Sequence, residues 1–416
     1  VSVVRALDAH GEGEIVLPDG TIALARGVLP GERVRVGSIE RGRVKRARGV
    51  EVVEASPDRV APPCPHAATC GGCPLMHASA SAQAAIKRER VRRALPGVEI
   101  EIVAPDDALA YRQRARLAFD GARIGYRGDA SRSLVEIDRC LVLSPVLAAT
   151  LDVVQRRIAP VLAGSGELRL GACGDRGTIR VEARDAQSPA LYAELDACVR
   201  DGSIAGVALF AAGAGAARFG VDHEETIDLD GRTLRAPLGG FTQAHASHNR
   251  ALAAHAIDRA EAGGARVLEL FAGHGNFTLA LAARAASVHA VELDADATRC
   301  LIQNLSAHHL RAEVATSDAA RATAAMARSS IDVVLLDPPR EGARDAIAPL
   351  TALAPARIVY VSCDPESLAR DAARLADRGY VLRDARAFDM FPQTAHVEVV
   401  ARFDRGSSVA APRRRR

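Results

Sequence analysis

The sequence predicts an α/β protein with three parts: a small N-terminal β-barrel, a mixed strand-rich central domain carrying a cysteine cluster, and a C-terminal Rossmann-like domain wound around a parallel sheet. Three observations carry this. Beyond Pro237, apolar strands of a few residues alternate with helical stretches. Residues 1–57 instead hold short alternating runs separated by turn signals. The chain has 416 residues, 48% hydrophobic and 25% charged, enough for two or three ordinary globular domains without disulfides. No apolar run approaches the roughly 18 residues of a membrane span, so no membrane partner is expected. The stretch VSVVRALDAHGEGEIVLPDG has acids and glycines where a secretory signal has a basic start and an apolar centre. A cytoplasmic enzyme is the expectation.

In the first part the runs EIVL, TIALA, RVRVGSI and RVKRARGVEVVE, broken by PDG and LPGE, fit a barrel of the kind that binds RNA. The overall charge, 54 − 51 = +3, is uninformative. Its distribution is less so: Gly31 to Val50 holds seven basic residues against Glu32 and Glu40, and Arg413 to Arg416 form a basic run, both of which attract polyanions. The second part, 58–236, opens on the irregular PDRVAPPCPHAATCGGCP. A helix follows over HASASAQAAIKRERVRRAL, stopped by Pro96-Gly97. Strands are expected at YRQRARLAFD, RIGYRG, ELRLGAC, TIRVEAR, GVALFA and ETIDLDG, with a helix from Leu147 to Leu162. The third part, 237–404, reads as five βα units and two closing strands, and 405–416 as a basic tail.

RVLELFAGHGNFT, Arg266 to Thr278, reads as strand, glycine turn and helix start. Gly273 and Gly275 permit a tight turn and close approach of a ligand. The third glycine of a dinucleotide fingerprint is missing, which disfavours a pyrophosphate and with it a nicotinamide-dependent oxidoreductase. Glu292, Asp318 and Asp337 follow the next strands, and open α/β sheets bind ligands at the carboxyl ends of their strands. An acid at Glu292 suits ribose hydroxyls and one at Asp318 an adenine amine, so the set favours S-adenosylmethionine. Helix capping is the competing role for each acid taken alone.

The fifth strand ends in IVYVSCDPESLARD, placing Cys363 at the same rim before a helix start that could stabilise a thiolate. Cys173, Cys198 and Cys300 read as inert packing. Glu398 lies between valines in the last strand, a costly place for a carboxylate without a task. Its functional role would be proton acceptor. Cysteine, carboxylate and methyl donor suit methylation of a carbon that must first be activated by addition of a nucleophile. A non-catalytic RNA-binding protein is the alternative of a different class. Cys64, Cys70, Cys73 and the distant Cys140 supply four thiols, and their spacing admits a [4Fe-4S] cluster, zinc or no ligand.

At these residues the sequence resembles the RNA uracil-5 methyltransferase family, and within it the type that modifies 23S ribosomal RNA and joins a TRAM domain to an iron-sulfur cluster. The matching elements are C-x5-CGGC with Cys140, GGFTQ (Gly239 to Gln243), ELFAGHGNF, VELD, DPPREG (Asp337 to Gly342), YVSCDPESLARD and HVE. The resemblance implies a class I methyltransferase domain and a TRAM-like barrel. It implies a [4Fe-4S] cluster on Cys64, Cys70, Cys73 and Cys140, and a donor and base pocket lined by Gln243, Phe271, Gly273, Glu292, Asp318 and Asp337. Cys363 would add to C6 of uracil, C5 would take the methyl group, and Glu398 would remove the C5 proton. The target base would have to leave its stack. The implied partner is RNA, most of all 23S ribosomal RNA with a tRNA uridine as runner-up, and no obligate protein partner is called for. His245 departs from the family pattern, which usually has asparagine there.

Overall fold

The computed structural model describes residues 1–128, 133–328 and 330–406. Strands β1 (Ser2–Leu7), β2 (Gly13–Val16), β3 (Ile22–Ala25), β4 (Arg33–Arg35), β5 (Ser38–Glu40), β6 (Arg46–Arg48) and β7 (Glu51–Glu54) form one sheet. Its order is β5, β6, β3, β2, β1, β4, β7. Alternation puts Val4 inward against Ile15, Ala23 and Val34, while every second residue of β1 faces solvent. No pair among the described residues joins β5 to β7, so hydrogen bonding leaves the expected barrel open. Its edges are short and carry Glu40, Glu51 and Glu54, which discourages further strand pairing. Much of the local basic excess is paired on this surface: Arg33 with Glu54, Arg35 with Glu51 and Arg48 with Glu40.

After the irregular cysteine segment, Ser79 caps helix α1 (Ala80–Ala94) by accepting from the Ala82 amide. Strand β8 (Ile100–Val103) leaves the middle of the chain to become an edge of the C-terminal sheet. The central sheet contains β9 (Ala115–Asp120), β10 (Arg123–Arg127), β11 (Leu134–Glu136), β12 (Ser165–Cys173), β13 (Arg176–Ala183), β14 (Gly206–Phe210) and β15 (Ala217–Gly220). Helix α2 (Pro145–Val153) continues as a wider π-type turn (Val154–Ile158) and a tighter 3-10 turn (Ala159–Val161), so helical backbone covers the stretch expected from Leu147 to Leu162 up to Val161. Helix α3 (Pro189–Arg200) links β13 to β14 and makes theirs the one parallel pair in this sheet. A hairpin of β16 (His223–Ile227) and β17 (Thr233–Pro237) follows.

The C-terminal part runs α4 (Ala246–Ala260), β18 (Arg266–Leu270), α5 (Thr278–Ala282), β19 (Ser287–Glu292), α6 (Ala295–Ala307), β20 (Glu313–Thr316), α7 (Ala319–Ala324), β21 (Val333–Leu336), α8 (Arg344–Ala352), β22 (Arg357–Ser362), α9 (Pro365–Ala376), β23 (Tyr380–Phe388) and β24 (Glu398–Arg405). The sheet order is β20, β19, β18, β21, β22, β24, β23, β8. Strand order reverses between β18 and β21, which opens a crevice at their carboxyl ends. Apolar side chains such as Val334, Leu335, Ile358 and Val359 fill both faces, as a parallel sheet covered by helices requires. Arg405 ends β24 and donates to the Ala354 carbonyl, so the tail expected from residue 405 starts inside the sheet. Its run Arg413 to Arg416 lies outside the described residues.

Helix α1 docks on the C-terminal part through a buried ion pair between Lys87 and Asp389, and Lys87 also donates to the Phe391 carbonyl at 3.0 Å. Removing one partner of a buried pair leaves an uncompensated charge. Asp389→Ala should therefore destabilise the chain by about 3–5 kcal/mol in denaturant unfolding. Lys87→Met with Asp389→Leu should recover much of that loss, and an unchanged midpoint in Asp389→Ala would show that the pair does not hold the helix.

Candidate active site and cysteine cluster

The glycine turn after β18 is shaped by unusual backbone. Phe271 has φ of 62°, Gly273 of 57° and Gly275 of 105°. At Gly275 a Cβ would lie 2.8 Å from side-chain atoms of both Leu279 and Leu301, so only glycine fits. Glu292, at the end of β19, accepts from the Gly273 amide and the Asp294 amide, each at 2.8 Å. Both oxygens thus brace the turn and keep further lone pairs for a ligand. Asp318 reaches the same edge, because Thr316 pairs with Glu292, and its Oδ1 caps α7 by accepting from the Arg321 amide. The capping role weighed for this acid is therefore real. Asn249 of α4 and Asn276 of the turn exchange two amide hydrogen bonds, at 2.8 and 3.2 Å.

Cys363, Glu398 and Asp337 meet at the next strand ends. Strands β22 and β24 are antiparallel with Ser362 opposite Val399, so Cys363 and Glu398, one step further, arrive level with each other. Asp337 follows β21, the other neighbour of β22. Glu398 is buried and its Oε2 has no hydrogen-bond partner. Burial drives the Glu398 and Asp337 carboxyls well up, and for Glu398 the charge of Asp337 adds to the effect while Arg340 opposes it. The Cys363 thiol is pushed up to about 12 by burial, then by Glu398 and Asp337, against Arg340. The helix start that could stabilise a thiolate at Cys363 is thus opposed by desolvation and by two neighbouring carboxyl groups. Arg340 also donates to His396 at 3.2 Å, and burial lowers that imidazole to about 4, so it is a neutral acceptor.

The Gly239 to Gln243 loop hangs from the buried Glu224, whose Oε1 accepts from the Gly239 amide at 2.7 Å. Burial raises this carboxyl to about 7. Gln243 presents an Oε1 with no hydrogen-bond partner, and Phe241 is 67% exposed with the Arg114 guanidinium 5.2 Å above its ring. His245 orders the end of the loop: it stacks on Tyr111 at 4.7 Å and faces Asp107 and Ser247 at 3.3 Å.

Three residues escaped the sequence reading. Glu269 in β18 is buried, with both oxygens unpartnered beside the unpartnered Thr278 hydroxyl. Burial raises it to about 8, opposed by the neighbouring Thr278 hydroxyl and reinforced by Asp337 and Glu292. Its signal was an acid between Leu268 and Leu270 in an otherwise apolar strand. Lys87 and Arg90 were read only as polar positions of a helix. Arg90 donates to Asp364, next to Cys363, at 2.9 Å and to the Ala395 carbonyl, ahead of Glu398, at 3.1 Å.

Cys64, Cys70, Cys73 and Cys140 line one cavity of about 360 Å³ that also reaches Arg340 and His396. All four are free thiols, and mutual repulsion adds to burial in pushing Cys73 up to about 12. The Gly72 amide donates to Cys70 Sγ at 3.4 Å, and the Tyr126 hydroxyl lies 3.9 Å from Cys140 Sγ.

A glycine turn braced by Glu292 and a strand-mouth cysteine level with a buried glutamate thus meet at the carboxyl edge of a doubly wound sheet. Comparison with known proteins agrees. A family model described as tRNA (Uracil-5-)-methyltransferase matches residues 220–405. The chain is 37% identical to the 23S rRNA (uracil(1939)-C(5))-methyltransferase RlmD of Alkalilimnicola ehrlichii, over 97% of this chain and 96% of that protein. It is 36% identical to the RlmD of Chromohalobacter salexigens, over 95% and 87%. The Pyrococcus abyssi tRNA (uracil-54, C5)-methyltransferase, solved with S-adenosyl-L-homocysteine, shares the fold, with TM-score 0.78 and 23% identity over 97% of this chain and 100% of that one. The chain belongs to the RlmD-like 23S rRNA (uracil-C5)-methyltransferase family. It is an S-adenosylmethionine-dependent RNA methyltransferase of the 5-methyluridine type.

Glu269 supplies a pH test. The native carboxyl keeps its proton to about pH 8, while the unfolded one ionises near 4.5. The native state binds more protons between those values, so the contribution of Glu269 to stability falls as pH rises through this window. Glu269→Gln removes that fall. Its melting temperature should exceed that of the wild type by a few degrees at about pH 8.5, and the gap should shrink at about pH 5. Parallel melting curves would contradict the assignment.

Proposed function

We propose that this chain methylates C5 of a uridine in 23S ribosomal RNA, with Cys363 as covalent nucleophile and Glu398 as base. The observation carrying this is the β22 and β24 register, which sets a thiol level with a buried, unpaired carboxyl at the mouth of the cofactor crevice. Gly273 and Phe271 shape the donor site, Glu292 takes the ribose hydroxyls, and Asp318 offers its Oδ2 to the adenine amine. Asp337 and the unpartnered Gln243 Oε1 face the base and the reacting groups. The N-terminal sheet is a TRAM-like RNA-binding domain in this reading. Phe241, exposed and topped by Arg114, is a stacking platform for a base beside the flipped uridine. No described helix is long and apolar enough to cross a membrane. The chain acts in the cytoplasm, a reading supported by its free thiols.

Cys363 rests as a thiol, so once the cationic donor has ionised the neighbouring acids it passes its proton to the Asp337 carboxylate, leaving Glu398 as carboxylate, while sulfur bonds to C6 and the C5–C6 electrons move into the C4 enolate. The bound donor supplies a sulfonium methyl group for C5, and its positive charge draws the surrounding acids down. Glu398, as carboxylate, then takes the C5 proton, and expulsion of the Cys363 sulfur restores the C5–C6 double bond. Cys363→Ala should retain donor binding and lose turnover by roughly 10⁴-fold or more. Glu398→Gln should accumulate methylated RNA joined to protein, visible as a shifted band. Free product at the wild-type rate from either variant rejects its role. With labelled donor, undermodified 23S ribosomal RNA should be labelled at one uridine. Labelling of tRNA alone would move the target while sparing the chemistry.

The four cysteines carry a [4Fe-4S] cluster in the same proposal. Tetrahedral zinc with bonds of about 2.3 Å needs sulfurs about 3.8 Å apart. Among the described residues no three of these thiols come within 4.8 Å of one another. A cubane, which takes one cysteine per iron, suits a wider cavity, and the Gly72 amide donates to a ligand sulfur as such clusters favour. Purified without oxygen, the chain should be brown and contain about four irons and four sulfides. Replacing any of Cys64, Cys70, Cys73 or Cys140 by Ser should lower the iron content and loosen the central part, with donor affinity retained. A colourless active chain with one zinc on these four thiols would overturn the cluster.

A further inference from the structure

Strand β16 places its side chains alternately on two faces. On one, Glu224 holds the Gly239 amide and Thr226 meets His274 of the glycine turn at 3.2 Å. On the other, His223 and Glu225 converge with Cys173, the last residue of β12 and a cysteine expected only to pack. His223 Nε2 stands 3.9 Å from Cys173 Sγ and 4.0 Å from Glu225 Oε1. Nothing else among the described residues brings three thiol, imidazole or carboxylate groups within 4.8 Å of one another. The second ring nitrogen, Nδ1, lies 3.3 Å from Asp222 Oδ1. That is the outer carboxylate that commonly orients a metal-binding histidine, here leaving Nε2 aimed at the other two groups. All three residues are half-buried, so a cation can enter and its ligands stay shielded.

We propose that Cys173, His223 and Glu225 bind a divalent cation of the zinc class, with water in the fourth position. Thiolate, imidazole and carboxylate together are a zinc donor set, whereas magnesium and calcium take oxygen. Bonds of about 2.0–2.3 Å would put tetrahedral ligand atoms about 3.3–3.8 Å apart, so side chains whose ligand atoms already lie within 4.8 Å of one another need close by no more than about 1.5 Å. The site is separate from the four-cysteine cavity, whose lining includes none of these residues. Its place in the fold gives it work. Bound there, the cation ties β12 of the central sheet to β16, the strand that holds the Gly239 to Gln243 loop and touches the cofactor turn. It is a clamp between the central sheet and the hairpin that carries the Gly239 to Gln243 loop, and it takes no part in methyl transfer.

Elemental analysis and zinc K-edge absorption on the full chain, purified without oxygen from zinc-supplemented cells, test this directly. The expected result is about one zinc per chain, with one sulfur near about 2.3 Å and three nitrogen or oxygen atoms near about 2.0–2.1 Å. Cys173→Ser should lose the sulfur from that shell, and His223→Gln should lower the zinc content severalfold with iron unchanged. His223→Gln should also make the wild-type thermal midpoint insensitive to zinc chelation and readdition. A zinc shell of four sulfurs would mean mis-metallation of the cysteine cavity and overturn the proposal. So would a zinc-free chain, or a zinc shell and content unchanged in both variants.

Discussion

Strand β24 enters the C-terminal sheet antiparallel, between β22 and β23, and the site depends on that one insertion. In a wholly parallel sheet, carboxyl ends of strands meet carboxyl ends, and each contributes a loop. Reversing one strand brings its first residue to the same rim, so the start of β24 offers Glu398 beside Cys363 at the end of β22. Two groups 35 positions apart in sequence (398 − 363) are brought together by backbone hydrogen bonds, which hold them more firmly than two loops would. The crevice between β18 and β21 supplies the cofactor from one side of β22, and β24 supplies the carboxyl from the other.

That convergence concentrates acid in a place with little water. Glu269 and Glu398 are buried and Asp337 is half-buried, and desolvation leads every one of their upward shifts. Held neutral, they cost less to bury than carboxylates would, and they leave the crevice ready for a cation. A sulfonium meets that need, because its charge favours ionisation of the groups that must accept protons later. The resting thiol at Cys363 follows from the same electrostatics: an activated thiolate would face carboxyl groups on two sides with Arg340 as the opposing charge.

Most strands of the C-terminal sheet were legible because β18, β21 and β22 are short, mainly apolar runs, and the ends of parallel strands are where ligands bind. Glu292, Asp337 and Cys363 follow from that pattern, whereas Glu398 stood out as a carboxylate between valines. Strand β8 was not legible: IEIV has four residues, and its partner β23 lies far along the chain at Ala385 to Phe388. Glu269 was passed over because an apolar run absorbs a single acid without changing its period. The surroundings of Cys363 were only partly legible, since a helix start is local and visible, whereas the carboxyls that oppose it come from other strands. For the N-terminal sheet, strand alternation is a property of each segment, but closure depends on whether β5 finds β7, which alternation does not encode. His223, Glu225 and Cys173 were invisible as a group because they sit on two sheets.

Helix α1 explains how the cysteine segment communicates with the chemistry. Immediately before it, Leu75 donates to the Gln393 carbonyl at 2.9 Å, and Gln83 exchanges two amide hydrogen bonds with Gln393, at 2.8 and 2.9 Å. Gln393 has φ of 70°, a conformation that a non-glycine residue holds only under such constraint. Lys87 and Arg90 add Asp389, Phe391 and Ala395, so 389–396 is fastened to the helix along its whole length. That segment runs directly into Glu398, and it also lines the cavity that holds the four cysteines. The glycine turn and Glu292 receive none of these contacts from α1. Order in the cysteine segment is thus transmitted to the start of β24 and Glu398, while the glycine turn rests on β18, β19 and α4. In the proposed reaction, a group held by the four cysteines would act on the geometry of methylation through this segment.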